Sequence, residues 1–461
     1  MKAILIIYFM INISLYAVGL EKPANIREMT GTTDARIMIG WDTVSDADGY
    51  YIYQIVDGNR VKIGETMNGS SYTYEITSLT PYTDYTYCVK AYSSSIGESG
   101  CSTPITIKTL HTWHGDLKNC LLNKLGQSDD YTPDRQDVEG IDTFYCPNVN
   151  VNYWDGSKAN IDELRDLVYI RDLNVSGGIY TPFPSWIGEL NLLYSLKLNG
   201  KFGGELPEDI GDKLPHLIYL SIEGERNTHA ALPLHGSLPS SIGGMIDLKF
   251  LSILGDFNGS IPEAFANLGQ LETLNLHANQ LSGDAGVLSE LSTLQYLNLG
   301  DNNFTSVPDL SHMSSLKTLI LSGIPLKTFP LWLKKMTSLE KLNLEQCNIQ
   351  GIIPKWIGDL VNLESLKLQG NKLFGNVPVT ILNLTQIPNF RGQLDLYTNC
   401  DLYADNQDVK DFIQEKSCYE IEDQFFLCQS ENTHADYDRL INSNTHKCDL
   451  GFSAIRMFLL D

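Results

Sequence analysis

The sequence predicts a chain of mixed class, an all-β sandwich at residues 20–109 followed by a long solenoid of short stacked repeats. Three observations carry that prediction. Apolar residues alternate between turn signals in the first segment. A leucine pattern then returns every 22–24 residues over most of the remaining chain. The nine cysteines gather mainly at the borders of that repeating stretch, as disulfides closing domain ends would.

Residues 1–19 read as a secretory signal peptide. Lys2 supplies the positive start, and Ile4 to Leu15 form an apolar run too short to span a bilayer comfortably. Ala17 and Gly19 sit at the small positions of a cleavage site. No later run is long and apolar enough to suggest a transmembrane anchor, so the expectation is a secreted, extracellular or surface-associated chain.

In the next segment Ile37, Ile39 and Trp41 alternate on one strand, and Tyr51, Tyr53 and Ile55 on the next, after the turn-like Asp46-Ala47-Asp48-Gly49. Leu79-Thr80-Pro81 precedes Tyr85, and Tyr85, Tyr87, Val89 and Ala91 alternate inward. These features resemble the fibronectin type III domain, with its early tryptophan and its tyrosine corner in L-x-P-x-x-x-Y. Cys88 lies on the other face of that strand and Cys101 near the next, positions that suit a cross-strand disulfide. Asp46 and Asp48 do not continue in a calcium-loop register, so a polar loop is the plainer reading.

Residues 110–163 fit a lid over the first exposed coil of the array. Cys120-Leu121-Leu122 begins one helical pattern, and Thr132-Pro133-Asp134 opens a second through Val138 and Ile141. Cys146 is the natural partner for Cys120.

Residues 164–402 carry the repeats, about ten of them. L-x-x-L-x-L recurs from Leu193-Leu196-Leu198 to Leu363-Leu366-Leu368, with a degenerate first copy at Ile170-Leu173-Val175 and the start of a last at Leu394-Leu396. A unit this short cannot bury its own apolar face, so stacked neighbours must make the core. Asn279, Asn302, Asn371 and Asn399 fill the polar slot after the strand, where an amide can bridge adjacent coils, and Cys347 occupies the same slot as a buried thiol. A turn G-x-(L/I/V)-P follows, as in Gly204-Leu206-Pro207 and Gly375-Val377-Pro378. This combination resembles the plant-type leucine-rich repeat of receptor ectodomains, polygalacturonase inhibitors and some secreted bacterial proteins. The resemblance implies an α/β solenoid with a parallel sheet on its concave face and short helices or 3-10 turns on the convex side. Val307-Pro308 and Phe329-Pro330 depart from it in lacking the glycine, and Gly283 to Gly286 lacks the proline.

Residues 403–461 make a second cap and tail. Asp408 to Ile413 reads as a short amphipathic helix, and Cys400, Cys418, Cys428 and Cys448 allow two bridges in three pairings.

Charge and motifs narrow the function. The formal net charge is −23, the wrong sign for a nucleic-acid footprint. There is no G-x-S-x-G, no H-E-x-x-H and no phosphate-binding glycine loop, so no enzyme, cofactor or metal is implied. His111 and His114 form a close pair without a nearby acid that would complete a metal site, so a surface or linker reading is the plainer one. What remains is a recognition surface. The residues between the buried leucines face solvent, and most are small or polar; Tyr219, Phe250 and Tyr296 stand out at equivalent positions, beside Glu223, Leu254 and His277. Repeat three also carries about eight extra residues around Glu225 to Ala231. The expectation is non-catalytic binding of an extracellular protein or peptide on the concave face. A polysaccharide on the same face is the alternative, since aromatics also stack on sugars. A structural envelope or matrix role is the third, and a hydrolase the least favoured.

Overall fold

The computed structural model describes residues 19–152, 161–224, 233–388, 393–396, 398–399 and 401–417. The signal segment through Val18, the insertion in repeat three, and Cys400, Cys418, Cys428 and Cys448 lie outside the described residues. The chain forms two compact units, one running to Trp113 and including Leu125–Gly140, the other made of His114–Lys124 and Ile141 onward.

The first unit is a two-sheet sandwich. Arg27–Glu28, Ile37–Gly40 and Thr73–Ile76 make one antiparallel sheet. In the other, Asp84–Ser93 is flanked by Gly49–Val56 on one side and by Gly97–Glu98 and Ile105–Lys108 on the other. Ile37, Ile39, Trp41, Tyr87, Val89 and Ala91 fill the space between the sheets. The Tyr85 hydroxyl accepts a hydrogen bond from the Thr80 amide at 2.9 Å, which fixes the corner. One alternation needs correcting. Tyr50 and Ile52 are the fully buried residues of the Gly49–Val56 strand, and Tyr51, Tyr53 and Ile55 belong to its outer side. The run is aromatic or aliphatic at both parities, so periodicity alone could not choose the inner face. Tyr51 instead stacks on Tyr92 with ring centroids 4.3 Å apart, under the Lys62 ammonium at 3.6 Å. Cys88 is buried although it points away from that core, because it is bridged to Cys101. The helical turn Arg135–Glu139 opens on a capping box at Asp134 and joins this unit, with Arg135 donating to Glu28 at 2.6 Å and to the Lys108 carbonyl.

The second unit is the solenoid. Its main sheet is a ladder of parallel strands from Thr143–Asn152 through Asp172–Pro182, Ser195–Glu205, Tyr219–Glu223, Phe250–Leu254, Thr273–Asn275, Tyr296–Asn298, Thr318–Ile320, Lys341–Asn343 and Ser365–Lys367 to Leu394–Asp395. The pattern leucines pair in register across it, Leu220 with Leu251, Leu251 with Leu274, Leu274 with Leu297, and all are buried. Burying one leucine stabilises by about 2 kcal/mol, so this stacked column is the core. The ladder starts one rung before the first pattern copy, because Phe144, Cys146 and Val149 of the cap also face inward. Cys146 is bridged to Cys120 on the helix Gly115–Leu125.

Opposite the main sheet the coils turn through short 3-10 helices such as Ser240–Gly244, Glu263–Asn267 and Lys355–Asp359, each starting just after its proline. The Ile-Gly step in the first and last of these is a close approach. A Cβ on Gly243 would lie 2.2 Å from the Ala264 carbonyl oxygen, and one on Gly358 2.1 Å from that of Thr380. The turn glycines have a different reason, since Gly204, Gly236, Gly259, Gly351 and Gly375 all adopt positive φ.

Candidate functional site

The side chains between the leucines form three rows across the main sheet. The central row has Ser221 and Ser252 at adjacent rungs, both 3% exposed. The first row has Tyr219 paired with Phe250, then Thr273, then Tyr296. The third pairs Glu223 with Leu254, and His277 occupies the next coil.

Four of the six candidates therefore meet on two neighbouring strands. The Tyr219 and Phe250 rings stack with centroids 4.2 Å apart and planes 9° from parallel, and both are half-buried. Burial raises the Tyr219 hydroxyl pKa; a hydrogen bond with Ser221 opposes the shift and the Glu223 charge adds to it. That hydroxyl stays protonated at neutral pH and can donate. Glu223 and Leu254 stand on the far side of the serine floor.

Tyr296 and His277 stand apart from this pair. Thr273 separates Phe250 from Tyr296, and two rungs span about 10 Å. Asn298 Nδ2 lies 3.4 Å from the Tyr296 hydroxyl, and Asn298 Oδ1 accepts from the Gly300 amide at 3.0 Å. His277 Nδ1 is 3.1 Å from the Gly300 carbonyl and its Nε2 is 3.8 Å from Asp301. These contacts hold the ring against the next coil.

Two further residues join the patch without having been singled out in the sequence. Tyr194 is 46% exposed and Ile218 43%, at the first variable position of their repeats, and the Ile218 amide donates to the Tyr194 carbonyl at 2.8 Å. The same position in later repeats is polar and, apart from Gln295, charged, with Lys249 paired to Glu272 at 3.4 Å and Lys317 to Glu340 at 2.8 Å. The apolar area thus covers Tyr194, Ile218, Tyr219 and Phe250 and stops at Lys249. A listing of that one position down the repeats could have found it.

Beneath the rows the asparagine ladder holds the coils together. Asn371 Nδ2 donates to the carbonyls of Leu344 and Leu368, both at 2.8 Å, and its Oδ1 accepts from the Ile349 amide at 2.9 Å. Asn279, Asn302 and Asn399 make equivalent bonds. Cys347 replaces the amide with a thiol 3.1 Å from the Leu321 carbonyl, and burial pushes its pKa up to about 12. A thiol so far from ionising is not a nucleophile.

The two histidines of the close pair have different surroundings. An acid does lie beside His114, namely Glu163, 3.0 Å from Nδ1 and 1% exposed. It comes from 49 residues away, so no local motif announced it. His111 stacks on Tyr82 in the sandwich unit at 3.6 Å. Among the described residues no helix is long and apolar enough to cross a membrane.

Family profiles match three stretches: a leucine-rich repeat region at residues 151–345, a leucine-rich repeat at 327–373, and a fibronectin type III domain at 21–108. Among curated relatives, a probable disease resistance protein of Arabidopsis thaliana is 32% identical over 200 residues, 41% of this chain and 19% of that protein. Receptor-like protein 35 of the same plant is 36% identical over 191 residues, 40% of this chain and 20% of the relative. The chain spans about a fifth of the length of these relatives. Among solved structures, a leucine-rich-repeat protein of Leptospira interrogans is similar with 22% identity and a TM-score of 0.48, covering 68% of this chain and 79% of the other.

Proposed function

From a chain that is a plant-type leucine-rich-repeat protein with an N-terminal fibronectin type III domain, we infer a secreted, non-catalytic recognition protein that binds an extracellular peptide or protein on its main parallel sheet. The observation that carries this reading is the half-exposed Tyr219–Phe250 stack, continued by Tyr194 and Ile218 and flanked by Glu223 and Leu254. Such an apolar area, held on paired strands and bordered by charge, fits a surface kept for a partner. The neighbouring Tyr219 hydroxyl and Glu223 carboxylate supply a donor and an acceptor for a peptide backbone or a basic side chain. The two rings cover one another's inner faces, which leaves less open ring for a sugar than two separate aromatics would. That favours a peptide or protein over a polysaccharide. The sandwich serves as a spacer or second contact.

The test is a binding screen of the full chain against immobilised cell-surface proteins and against polysaccharides, run beside the variant Tyr219→Ala/Phe250→Ala/Tyr296→Ala. Truncating one buried aromatic anchor costs about 2 kcal/mol, so the variant should lose at least about thirtyfold in affinity for a protein ligand. Retained folding is checked by its denaturation profile. Capture of polysaccharide alone selects the glycan alternative. Equal binding by both chains places the site elsewhere.

A further inference from the structure

At the C-terminal end of the main sheet the same rows carry Glu345, Lys367, Gln369 and Asp395, of which the last two are buried. Asp395 follows Leu394 on the last strand and pairs in register with Lys367. It is 3% exposed, and its Oδ1 has no hydrogen-bond partner among the described residues. Gln369, in the neighbouring row, is 4% exposed, and among the described residues its Oε1 likewise has none. Glu345 occupies the position equivalent to Gln369 one coil earlier. Its charge acts on Asp395, Asp301 acts on it in turn, and Lys367 is the one cation that acts on both Glu345 and Asp395. Among the described residues Lys367 forms no ion pair with either.

Two buried oxygens without donors are a costly arrangement, because each forfeits its bonds to water and gains none in return. Both are acceptors, so what completes them must bring hydrogens. Among the described residues Lys367 is the one cation that acts on Asp395, against the charge of Glu345, so what completes the two oxygens should also bring positive charge. Among the described residues no three acidic, histidine or cysteine groups are placed to hold a metal ion. A larger cation with directed N–H groups fits these requirements.

We propose that Glu345, Lys367, Gln369 and Asp395 form a subsite for an organic cation, the guanidinium or ammonium of a basic residue in the ligand. It deepens the function proposed above and rests on that reading in taking the strand face as the binding face. Arginine suits it better than lysine, since its planar fork can give one N–H to Gln369 Oε1 and another to Asp395 Oδ1. The subsite lies several rungs from Tyr219 and Phe250, so the two can be tested separately.

The probes are N-acetyl-argininamide and its uncharged citrulline counterpart, titrated into the full chain near neutral pH and followed by ligand-observed NMR. The arginine probe is expected to bind about tenfold tighter than the citrulline probe. Asp395→Asn should remove that preference, and Gln369→Leu should weaken arginine binding. Asp395→Asn keeps the side-chain shape, and a circular dichroism melt verifies its fold. Tyr219→Ala should leave arginine binding unchanged, so a failure of the aromatic patch and a failure of this subsite give different results. Equal binding of the two probes, or an arginine preference that survives in Asp395→Asn, overturns the proposal and leaves the oxygens to ordered water. Loss in Tyr219→Ala without loss in Asp395→Asn also overturns it, by moving the cation to Glu223.

Discussion

Asn371 shows how much one side chain can carry in this fold. It closes two carbonyls and one amide that the coil geometry leaves without partners, all of them buried. Asn371→Ala should therefore destabilise the neighbouring coils by about 2–4 kcal/mol, read as a lower denaturant midpoint and faster amide exchange at Ile349. Asp395 acts in the opposite direction. Burial pushes its carboxyl pKa from 3.8 up to about 6, with Glu345 reinforcing the shift and Lys367 opposing it. Between those values the folded chain holds a proton that the unfolded chain has released, so folding stability falls as pH rises through that window. A shift of that size corresponds to a cost of about 3 kcal/mol once both states are ionised. Asp395→Asn should raise stability at neutral pH, and the gain should vanish towards pH 4. A gain independent of pH would show that the buried charge is not its source.

At the scale of the element, glycine serves two purposes that one substitution each can separate. Gly259 turns the chain at φ +78° with nothing near its absent Cβ, so Gly259→Ala should cost about 1 kcal/mol from backbone strain alone. Gly243 lets one 3-10 turn meet the next, and Gly243→Ala should cost more, about 1–3 kcal/mol, because the collision is with backbone. Thermal melts of the two variants give the comparison, and equal losses would contradict this division. These elements were legible because a fixed spacing repeats them: the leucine columns, the asparagine slot and the proline before most of the short helices can be read straight from the chain. The candidate site was legible only in part. Tyr219 and Phe250 occupy one position in adjacent repeats, so alignment of the repeats found them. Tyr194 and Ile218 lie at a position that is polar and mostly charged in later repeats, and the average pattern hid them. Glu345, Gln369 and Asp395 are separated by 24 and 26 residues, and their burial depends on packing that periodicity does not describe. Tyr50 and Ile52 were passed over for a simpler reason, because a strand apolar at both parities does not state which side is inside.

For the whole molecule, stability and recognition are distributed differently. Each coil touches mainly its neighbours, so the solenoid is held by a sum of local stackings. The chain's net charge of −23 favours solubility and a basic partner. Binding, by contrast, is assigned to one stretch of the sheet, and that assignment is the claim most worth testing. The direct measurement is oxidative footprinting of tyrosines by mass spectrometry, with and without the protein ligand found in the screen. Tyr194, Tyr219 and Tyr296 should be protected on binding, while Tyr51 and Tyr92 in the sandwich and Tyr403 near the C-terminal helix keep their reactivity. Protection confined to the sandwich tyrosines, with Tyr219 as reactive as in the free chain, would contradict the account.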